Sequence, residues 1–313
     1  MFGLFLILIW IFWLLRLDDV DKLSIKYFIL SLPKRMDGSG HIITFDYLIH
    51  WIVVIMMLPF RSSDYLGKVS EGVIYSGNEY DSSLVNYFDD KMNWVDIFEK
   101  WDILHPKLIM YRENGKDNWI NDYELDKDYI KKPIHGRFGI GVELIPGSEL
   151  ESTLMMESES DYLVQERLYD CGADGHARHF RVITTLDKSI PMFIYELNGK
   201  DGSVVSNHFQ KSTVDKCTGT VCPGIQECIE ERLELHKITN QLVSLHHNDM
   251  DTFYSIGWDV MLHCGESVKA YCLEGNIRHS KWFDVDDNDS LDSIREFKSG
   301  YRKFLISNGL LHP

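Results

Sequence analysis

The chain has 313 residues, of which 44% are hydrophobic, and it carries a net charge of −16 from 32 basic and 48 acidic side chains. That length predicts about two domains, with enough apolar residues for a sizeable core. The acidic excess argues against a general nucleic-acid-binding protein, which would show a basic surface, although it leaves room for a local basic pocket. The six cysteines have no C-x-x-C spacing, so we expect buried free thiols rather than zinc ligands or a disulfide framework.

The N-terminal segment contains an uninterrupted apolar run at residues 2–15, closed by Arg16. A helix of this length would span about 21 Å, against roughly 30 Å for the hydrocarbon core of a bilayer. The run also lacks the basic leader and the small-residue cleavage site of a secretory signal. We predict a membrane anchor or signal anchor within residues 1–32, followed by a membrane-proximal linker at residues 33–84. A buried hydrophobic arm and an extended gene start are the alternatives.

A helix and a strand are predicted next along the chain. Apolar side chains recur at helical spacing at four positions: Trp94, Val95, Phe98 and Trp101. This helix opens at Asp90-Lys91, where a solvated cap is the simplest interpretation of the charged pair, and Pro106 ends the element. Residues 107–111 then predict a short strand, and Asn114-Gly115 predicts a turn.

A glycine-rich stretch at residues 129–142 predicts a strand, a flexible loop and a second strand. In this stretch two lysines precede three glycines: Lys131, Lys132, Gly136, Gly139 and Gly141. Glycines let backbone N–H groups curl around an anion, and a lysine adds a point charge for a phosphate. The P-loop and the dinucleotide-binding fingerprint are excluded, because the lysines come first and the last glycine leads into a strand. A glycine-rich β-hairpin without a ligand is the alternative.

The following segment predicts three strands and a helix. The strands lie at residues 161–168, 179–185 and 191–197, and the last two are expected to pair antiparallel. Residues 223–247 predict a helix with one apolar stripe: Ile225, Ile229, Leu233, Leu242 and Leu245. Its histidines are expected at the surface or in packing rather than as ligands: His236, His246 and His247.

A second informative stretch, at residues 256–276, predicts a β-hairpin with a Gly-containing turn. It carries three oxygen-bearing side chains: Asp259, Glu274 and Asn276. If Cys264 pairs with Val268, Asp259 falls opposite Leu273, beside Glu274. Glu274 and Asn276 are two residues apart, so they share a face of the strand. Two carboxylates and one amide oxygen then converge, which suits Mg²⁺. A solvent-facing polar strand end is the alternative.

Taken in order, these motifs resemble the ATP-grasp superfamily. The series is Lys-Pro-x-x-Gly-x-x-Gly-x-Gly-Val from Lys132, Val-Gln-Glu-Arg-Leu from Val164, Phe-Arg-Val from Phe180, and Gly-Trp-Asp…Glu-Gly-Asn from Gly257. Within the superfamily the chain is most similar to the sugar-transfer-associated ATP-grasp proteins. The resemblance covers residues 85–283.

The resemblance implies a role for each matching residue. Lys132 matches the strand lysine that contacts ATP phosphates, with Lys131 as its neighbour, and Lys91 matches the earlier lysine on the phosphate side. Three glycines match the lid loop over the triphosphate: Gly136, Gly139 and Gly141. The linker that holds adenine matches Gln165, Glu166 and Leu168. Arg181 matches an arginine that faces the transferred phosphoryl group and forms the catalytic pair with Lys132. The metal ligands match Asp259, Glu274 and Asn276.

Two departures from the family pattern concern the nucleotide. The glycine-rich loop carries His135, Arg137 and Phe138 where the family usually has smaller residues. The acidic ribose contact that usually follows the linker is not evident, and Asp170 is its nearest candidate.

The resemblance also implies the fold and the reaction. We expect an α+β chain with the ATP-grasp fold, in which two subdomains with antiparallel sheets grip ATP. This ATP-grasp domain is predicted at residues 126–313, preceded by a small region at residues 85–125. ATP-grasp ligases convert a carboxylate into an acylphosphate, which an amine or similar nucleophile attacks, and Mg²⁺, or Mn²⁺ in its place, accompanies the phosphates.

The expected function is therefore an ATP- and Mg²⁺-dependent ligase that acts on an unidentified carboxylate substrate, in glycan or cell-surface polymer assembly. The anchor at residues 2–15 implies a membrane-associated chain with a cytosolic catalytic domain; without it the chain is expected in the cytoplasm. The alternatives are an ATP-binding module, a kinase-like phosphotransferase on the same fold, and a membrane-tethered scaffold without nucleotide.

Overall fold

The computed structural model describes residues 87–135, 141–155, 161–171, 178–187, 193–199, 213–277 and 288–309. The predicted anchor at residues 2–15 lies outside these ranges, as do Gly136 and Gly139. Among the helices that are described, none is both long and apolar enough to cross a membrane. The described residues fall into two compact units, one covering residues 87–277 and the other represented by a helix within residues 288–309.

The elements of the first unit are mainly antiparallel strands. The helices are α1 (Lys91–Lys100), α2 (Leu150–Met155) and α3 (Ile229–Asp249). The strands are β1 (Leu108–Glu113), β2 (Lys116–Trp119), β3 (Asp128–Pro133), β4 (Glu143–Pro146), β5 (Tyr162–Glu166), β6 (Arg178–Thr185), β7 (Phe193–Asn198), β8 (Thr213–Lys216), β9 (Ser255–Cys264) and β10 (Val268–Asn276). Helix α4 (Asn288–Ser307) belongs to the second unit.

The first sheet has the order β2-β1-β5-β3-β4, and every neighbouring pair is antiparallel. Its hairpin between β1 and β2 turns at Asn114-Gly115, both with positive φ (52° and 73°), as the sequence predicts. Strands β3 and β4 form the predicted hairpin around the glycine-rich loop, with Lys131 opposite Glu143. A core of buried side chains packs this sheet against α2: Ile109, Met110, Tyr129, Ile145, Leu150, Leu154, Tyr162 and Val164.

The second sheet has the order β10-β9-β6-β7-β8, again antiparallel throughout, which confirms the predicted pairing of β6 with β7. On β9, Trp258, Val260 and Leu262 alternate with residues of the opposite face and enter the main core beneath α3. Two antiparallel sheets with helices confirm the α+β prediction.

The apolar stripe of α3 differs from the prediction at its start. Ile229 and Leu233 are 66% and 62% exposed. The buried face instead begins at Glu231 and continues through four apolar residues: Leu235, Ile238, Leu242 and Leu245. Glu231 takes the place of an apolar residue because it pairs with Arg178 of β6 at 2.9 Å. A hydrophobicity pattern cannot recognise a carboxylate that is buried by its partner.

The histidines of α3 serve packing or the surface, as predicted. His246 is buried, with Nδ1 at 2.7 Å from Oγ1 of Thr184 and Nε2 at 2.8 Å from the carbonyl of Phe253. Burial lowers the pKa of His246 to about 4, so the ring is neutral at physiological pH. His236 is exposed, and His247 contacts the carbonyl of Thr185.

Helix α1 packs against both sheets. Asp90 caps its N-terminus by accepting a hydrogen bond from the Met92 amide at 2.8 Å, so the predicted cap is confirmed. Trp94 and Phe98 enter the core of the second sheet. Val95, on the neighbouring face, joins a cluster of the first sheet: Leu108, Ile134 and Leu163. The helix therefore packs against both sheets, although none of the described strands of one sheet pairs with a strand of the other.

The expectation of free cysteines is wrong for four of the six. Disulfides join Cys171 to Cys264 and Cys217 to Cys222, while Cys228 and Cys272 are free. The first disulfide forms because the segment after β5 runs beside the end of β9, where the Cys264 amide donates to the carbonyl of Tyr169 at 3.1 Å. That neighbourhood depends on tertiary contacts, which cysteine spacing does not reveal.

The long-range disulfide predicts a measurable loss of stability on its removal. Replacing Cys171 and Cys264 by serine frees a loop of 93 residues, and we expect a loss of about 4–5 kcal/mol. The corresponding change at Cys217 and Cys222 frees a loop of five residues and should cost about 2 kcal/mol. Denaturant unfolding of both double variants measures the difference. Alkylation in denaturant without reductant should label only two cysteines in the wild type, and labelling of all six would contradict both disulfides.

Candidate functional site

Asp259 occupies the centre of the candidate site. It lies on β9 opposite Arg181 of β6 and opposite Glu274 of β10. The predicted pairing of Cys264 with Val268 is confirmed, but the predicted position of Asp259 opposite Leu273 is wrong. A bulge between Cys272 and Glu274 adds one residue to β10 and shifts the register. Because of this bulge, the carboxylates of Asp259 and Glu274 lie side by side on one face.

Arg181 holds Asp259 in a two-point ion pair. Its Nε donates to Oδ1 at 2.5 Å and its Nη2 donates to Oδ2 at 3.0 Å. Nδ2 of Asn276 donates to the same Oδ2 at 3.2 Å, so the predicted ligands Asp259 and Asn276 contact each other. Planar, bidentate pairing of this kind is the strongest geometry for an arginine and a carboxylate.

His179 is a member of the site that the sequence analysis did not single out. Its Nε2 lies 3.7 Å from Oδ1 of Asp259. Its position two residues before Arg181 on a strand was the available signal, since such residues share a face. Burial lowers the pKa of His179, while the nearby carboxylate of Asp259 acts in the opposite direction.

The charge state of Asp259 follows from its neighbours. Burial alone would raise the pKa of this carboxyl group, but the Arg181 guanidinium outweighs it, helped by His179 and the Asn276 amide. The pKa of Asp259 is therefore held below its usual range, and the group is a carboxylate at neutral pH.

Two lysines approach the carboxylates from other elements. Nζ of Lys91, in the first turn of α1, lies 3.8 Å from Oε2 of Glu274. Lys132, on β3, is close enough for Glu274 and Asp259 to raise its pKa and for Lys91 to lower it. Burial is the larger influence and lowers the pKa of Lys132 to about 8. Within the described part of the chain, no group accepts a hydrogen bond from its ammonium.

Lys131 lies on the opposite face of β3 from Lys132. Its Nζ bonds Oε2 of Glu143 at 2.8 Å and lies 5.4 Å from the centre of the Tyr162 ring. The structure therefore brings Lys132, but not Lys131, to the cluster of Asp259 and Glu274.

The predicted adenine linker is fixed at the end of β5. Gln165 is buried, and its Nε2 donates to the carbonyl of Pro106 at 3.3 Å. Oε1 of Glu166 accepts from the Lys107 amide at 3.0 Å, and Leu168 is buried. These contacts hold the segment against the chain that precedes β1; its contact with adenine stays a prediction.

Asp170, the nearest candidate for a ribose contact, forms an ion pair with Arg178. Its Oδ1 accepts from Nε and Nη2 of Arg178 at 3.2 and 3.0 Å, and Arg178 also pairs with Glu231. The three side chains form a buried ion cluster that joins the linker to β6 and α3.

Of the three loop glycines, only Gly141 lies within the described residues. Its φ is +76°, and a Cβ there would lie 2.8 Å from Cγ of Pro133. The backbone conformation and this close approach both require glycine at the point where the loop enters β4.

The oxygen-bearing side chains at the site are of the kind that suits a divalent cation bound to phosphates as well. Among the described residues, no group of three or more His, Cys, Asp and Glu side chains could hold a metal by itself. Asp259, Glu274 and Asn276 provide two carboxylates and one amide. Mg²⁺ typically binds one or two carboxylates together with substrate phosphates, so this set fits it in kind.

Comparisons with known proteins return matches only among solved structures. No family model matches the chain, and no curated protein matches it. D-alanine–D-alanine ligase from Bacillus anthracis, complexed with ATP, is 17% identical with a TM-score of 0.43, covering 69% of this chain and 67% of that one. The ATP-grasp ligase PsnB, complexed with Mg, ADP and a phosphomimetic variant of its minimal precursor, is 14% identical with a TM-score of 0.44, covering 85% and 76%.

A third solved structure is the RiPP-associated ATP-grasp ligase of Chryseobacterium gregarium, in complex with ADP and a leader and core peptide. It is 12% identical with a TM-score of 0.46, covering 84% of this chain and 73% of that one. These proteins are ligases of the superfamily that the sequence motifs resemble, and the sugar-transfer-associated subgroup is not confirmed by them.

The lowered pKa of Lys132 predicts a stabilising substitution. Between pH 8 and about 10.5 the unfolded chain binds a proton at this lysine that the folded chain has lost, so wild-type stability should rise with pH there. Below pH 8 the buried charge lowers stability, and Lys132→Met should raise the free energy of unfolding by on the order of 1–3 kcal/mol. Denaturant unfolding from pH 7 to 10 tests this, with Lys127→Met as the exposed control. Parallel pH profiles for wild type and Lys132→Met would contradict it.

Proposed function

We propose that the chain is an ATP- and Mg²⁺-dependent ligase that joins a carboxylate to an amine or a similar nucleophile. The observation that supports this most directly is the cluster of three cations, Lys91, Lys132 and Arg181, around the adjacent carboxylates of Asp259 and Glu274.

The charge balance of this cluster favours an anionic ligand. Three cations share two carboxylates, and burial keeps water from screening their repulsion. The pKa of Lys132 is lowered mainly by burial, and Lys91 lowers it further, while Glu274 and Asp259 act in the opposite direction. A polyphosphate would accept hydrogen bonds from Lys132 and favour its charged form. Lys91 would then contribute a second point charge to the same anion.

A divalent cation would be held by Asp259, Glu274 and Asn276. When bound, Mg²⁺ or Mn²⁺ supplies neutralisation of phosphate charge. The protein's part is to keep Asp259 ionised, which its neighbours do, and to hold Glu274 beside it through the bulge in β10.

The proposed reaction has two steps. A carboxylate oxygen of the substrate attacks the γ-phosphorus of ATP, which forms an acylphosphate and releases ADP. The nucleophile then attacks the acyl carbon, an amide forms, and inorganic phosphate leaves. Lys132 would hold the phosphates, and Arg181 would stabilise charge on the transferred phosphoryl group. Neither step requires a nucleophile from the protein.

Of the three alternative functions, two would use the same cluster of charged side chains and one would not use it. An ATP-binding module or a kinase-like phosphotransferase would bind Mg-ATP without forming an amide. A tethered scaffold would show no response to nucleotide. A role in glycan or cell-surface polymer assembly follows from the sugar-transfer-associated motifs, and membrane association follows from residues 2–15; both are further proposals.

The nucleotide proposal predicts that Mg-ATP stabilises the fold. A ligand that binds only the folded state, at a concentration of 100 times its Kd, raises the free energy of unfolding by about 2.7 kcal/mol. This shifts Tm by several degrees. Lys132→Ala should weaken that shift, and Lys127→Ala, on the exposed surface, should not. Thermal unfolding with and without millimolar Mg-ATP provides the measurement. A wild-type Tm that does not respond would favour the scaffold.

The metal proposal predicts that each of three substitutions abolishes Mg²⁺-dependent turnover: Asp259→Asn, Glu274→Gln and Asn276→Ala. Glu266→Gln, in the exposed turn of the same hairpin, is the matched control and should leave turnover unchanged. ATP consumption across candidate carboxylate and amine substrates is the assay. Full turnover in all three variants would exclude these residues as metal ligands.

A further inference from the structure

Gly275 lies between the candidate metal ligands Glu274 and Asn276, against the indole ring of Trp94. A Cβ built on this glycine would lie 2.4, 2.6 and 2.7 Å from Cη2, Cζ2 and Cζ3 of Trp94. Contacts below 3.0 Å require something to shift. Gly275 has no positive φ, so the limit here is space and not backbone conformation.

The Trp94 ring has little freedom to yield. It is only 2% exposed, and its Nε1 donates to the carbonyl of Phe88 at 2.9 Å. Other rings surround it: Phe88 and Phe98 at centroid distances of 5.3 and 5.8 Å, and Trp258 at 5.5 Å. In a close-packed cluster of this kind, one added methyl group moves the neighbouring backbone.

The contact with Gly275 fixes where α1 presents Lys91. Lys91 and Trp94 are three residues apart, so they lie on the same side of the helix. The ring packs on β10 at Gly275, and Lys91 reaches Glu274, the preceding residue of that strand, at 3.8 Å. The separation of Lys91 from Glu274 therefore depends on how closely α1 approaches β10.

The same helix is also tied to β3. The Lys91 amide donates to the carbonyl of Ile134 at 3.3 Å, and Ile134 follows Lys132 by two residues. A displacement of α1 from β10 would thus alter the spacing between Lys91, the end of β3 and the two carboxylates.

We propose that Trp94 and Gly275 are positioning residues of the nucleotide site: their contact sets the distance between α1 and β10, and so holds Lys91, Glu274 and Asn276 in register for phosphate and metal. This inference rests on the proposed nucleotide-dependent function and goes beyond it, because neither residue touches the ligand.

The test is a cycle of three variants with a matched control. Gly275→Ala introduces the clash, and Trp94→Phe removes the distal ring atoms that cause it. The double variant combines the two changes. Gly265→Ala, in the turn of the same hairpin, is the control, since a Cβ there meets only ordinary contacts with His263 at 3.4 and 3.8 Å.

The readout is the dissociation constant of Mg-ATP, measured by calorimetry on protein shown to be folded by circular dichroism. Gly275→Ala should weaken Mg-ATP binding roughly ten-fold or more, and the double variant should regain most of it. Trp94→Phe alone removes the contact and leaves a gap, so it should weaken binding too, by less than Gly275→Ala, and Gly265→Ala should bind as well as wild type. Because affinity is measured on folded protein, a loss of stability alone would leave the dissociation constant unchanged, and only a change in position would weaken binding.

Each other outcome has a definite meaning. If wild type does not bind Mg-ATP, the proposed function fails, whatever the variants do. If wild type and Gly275→Ala bind equally, the function stands and the positioning role is wrong. If Gly275→Ala does not fold, the double variant decides: restored folding and binding support the proposal. A double variant that stays unfolded, or that folds without binding, overturns it.

Discussion

The ion pair between Arg181 and Asp259 is the interaction around which the site is built. It joins β6 to β9 by two hydrogen bonds at a position where both groups are largely removed from water. Either partner alone would be a costly buried charge, and the guanidinium keeps the carboxyl group of Asp259 ionised. In the proposed reaction both groups have a second partner, phosphate for Arg181 and the cation for Asp259. The pair therefore keeps the site assembled before the nucleotide binds, when its cations would otherwise repel.

Much of this arrangement was predictable, and the exceptions have common physical causes. Alternation and helical spacing predicted most of the strands and the helices α1 and α3, because those patterns report which side chains are buried, whereas β2, β8, α2 and α4 were not predicted. The register of β10 was not predictable, since the bulge after Cys272 leaves no mark on the hydrophobic pattern. Glu231 was missed because its burial depends on Arg178, which is distant in sequence. The predicted metal ligands and Arg181 could be named from the sequence motifs, but the pairing of Arg181 with Asp259 could not.

The disulfides bear on where the chain works. Cytosolic thiols are kept reduced, and persistent disulfides are typical of secreted and lumenal proteins. Two disulfides therefore stand against the cytosolic catalytic domain that ATP use would suggest. The bond between Cys171 and Cys264 has a further consequence, because it ties the segment after the linker to the strand of Asp259. The disulfide therefore holds two parts of the proposed nucleotide site together.

The paired lysines of β3 show how one strand can serve both the fold and the chemistry. The pleat sends Lys131 and Lys132 to opposite faces. Lys131 is satisfied by Glu143 and the Tyr162 ring, so it fastens β3 to β4 and β5. Lys132 faces the carboxylates of the second sheet with its pKa lowered by burial. A lysine that the fold leaves in an unfavourable environment is stabilised by any anion that reaches it. Of the two neighbouring lysines, Lys131 therefore has a structural role, and Lys132 is the one that the proposed ligand would contact.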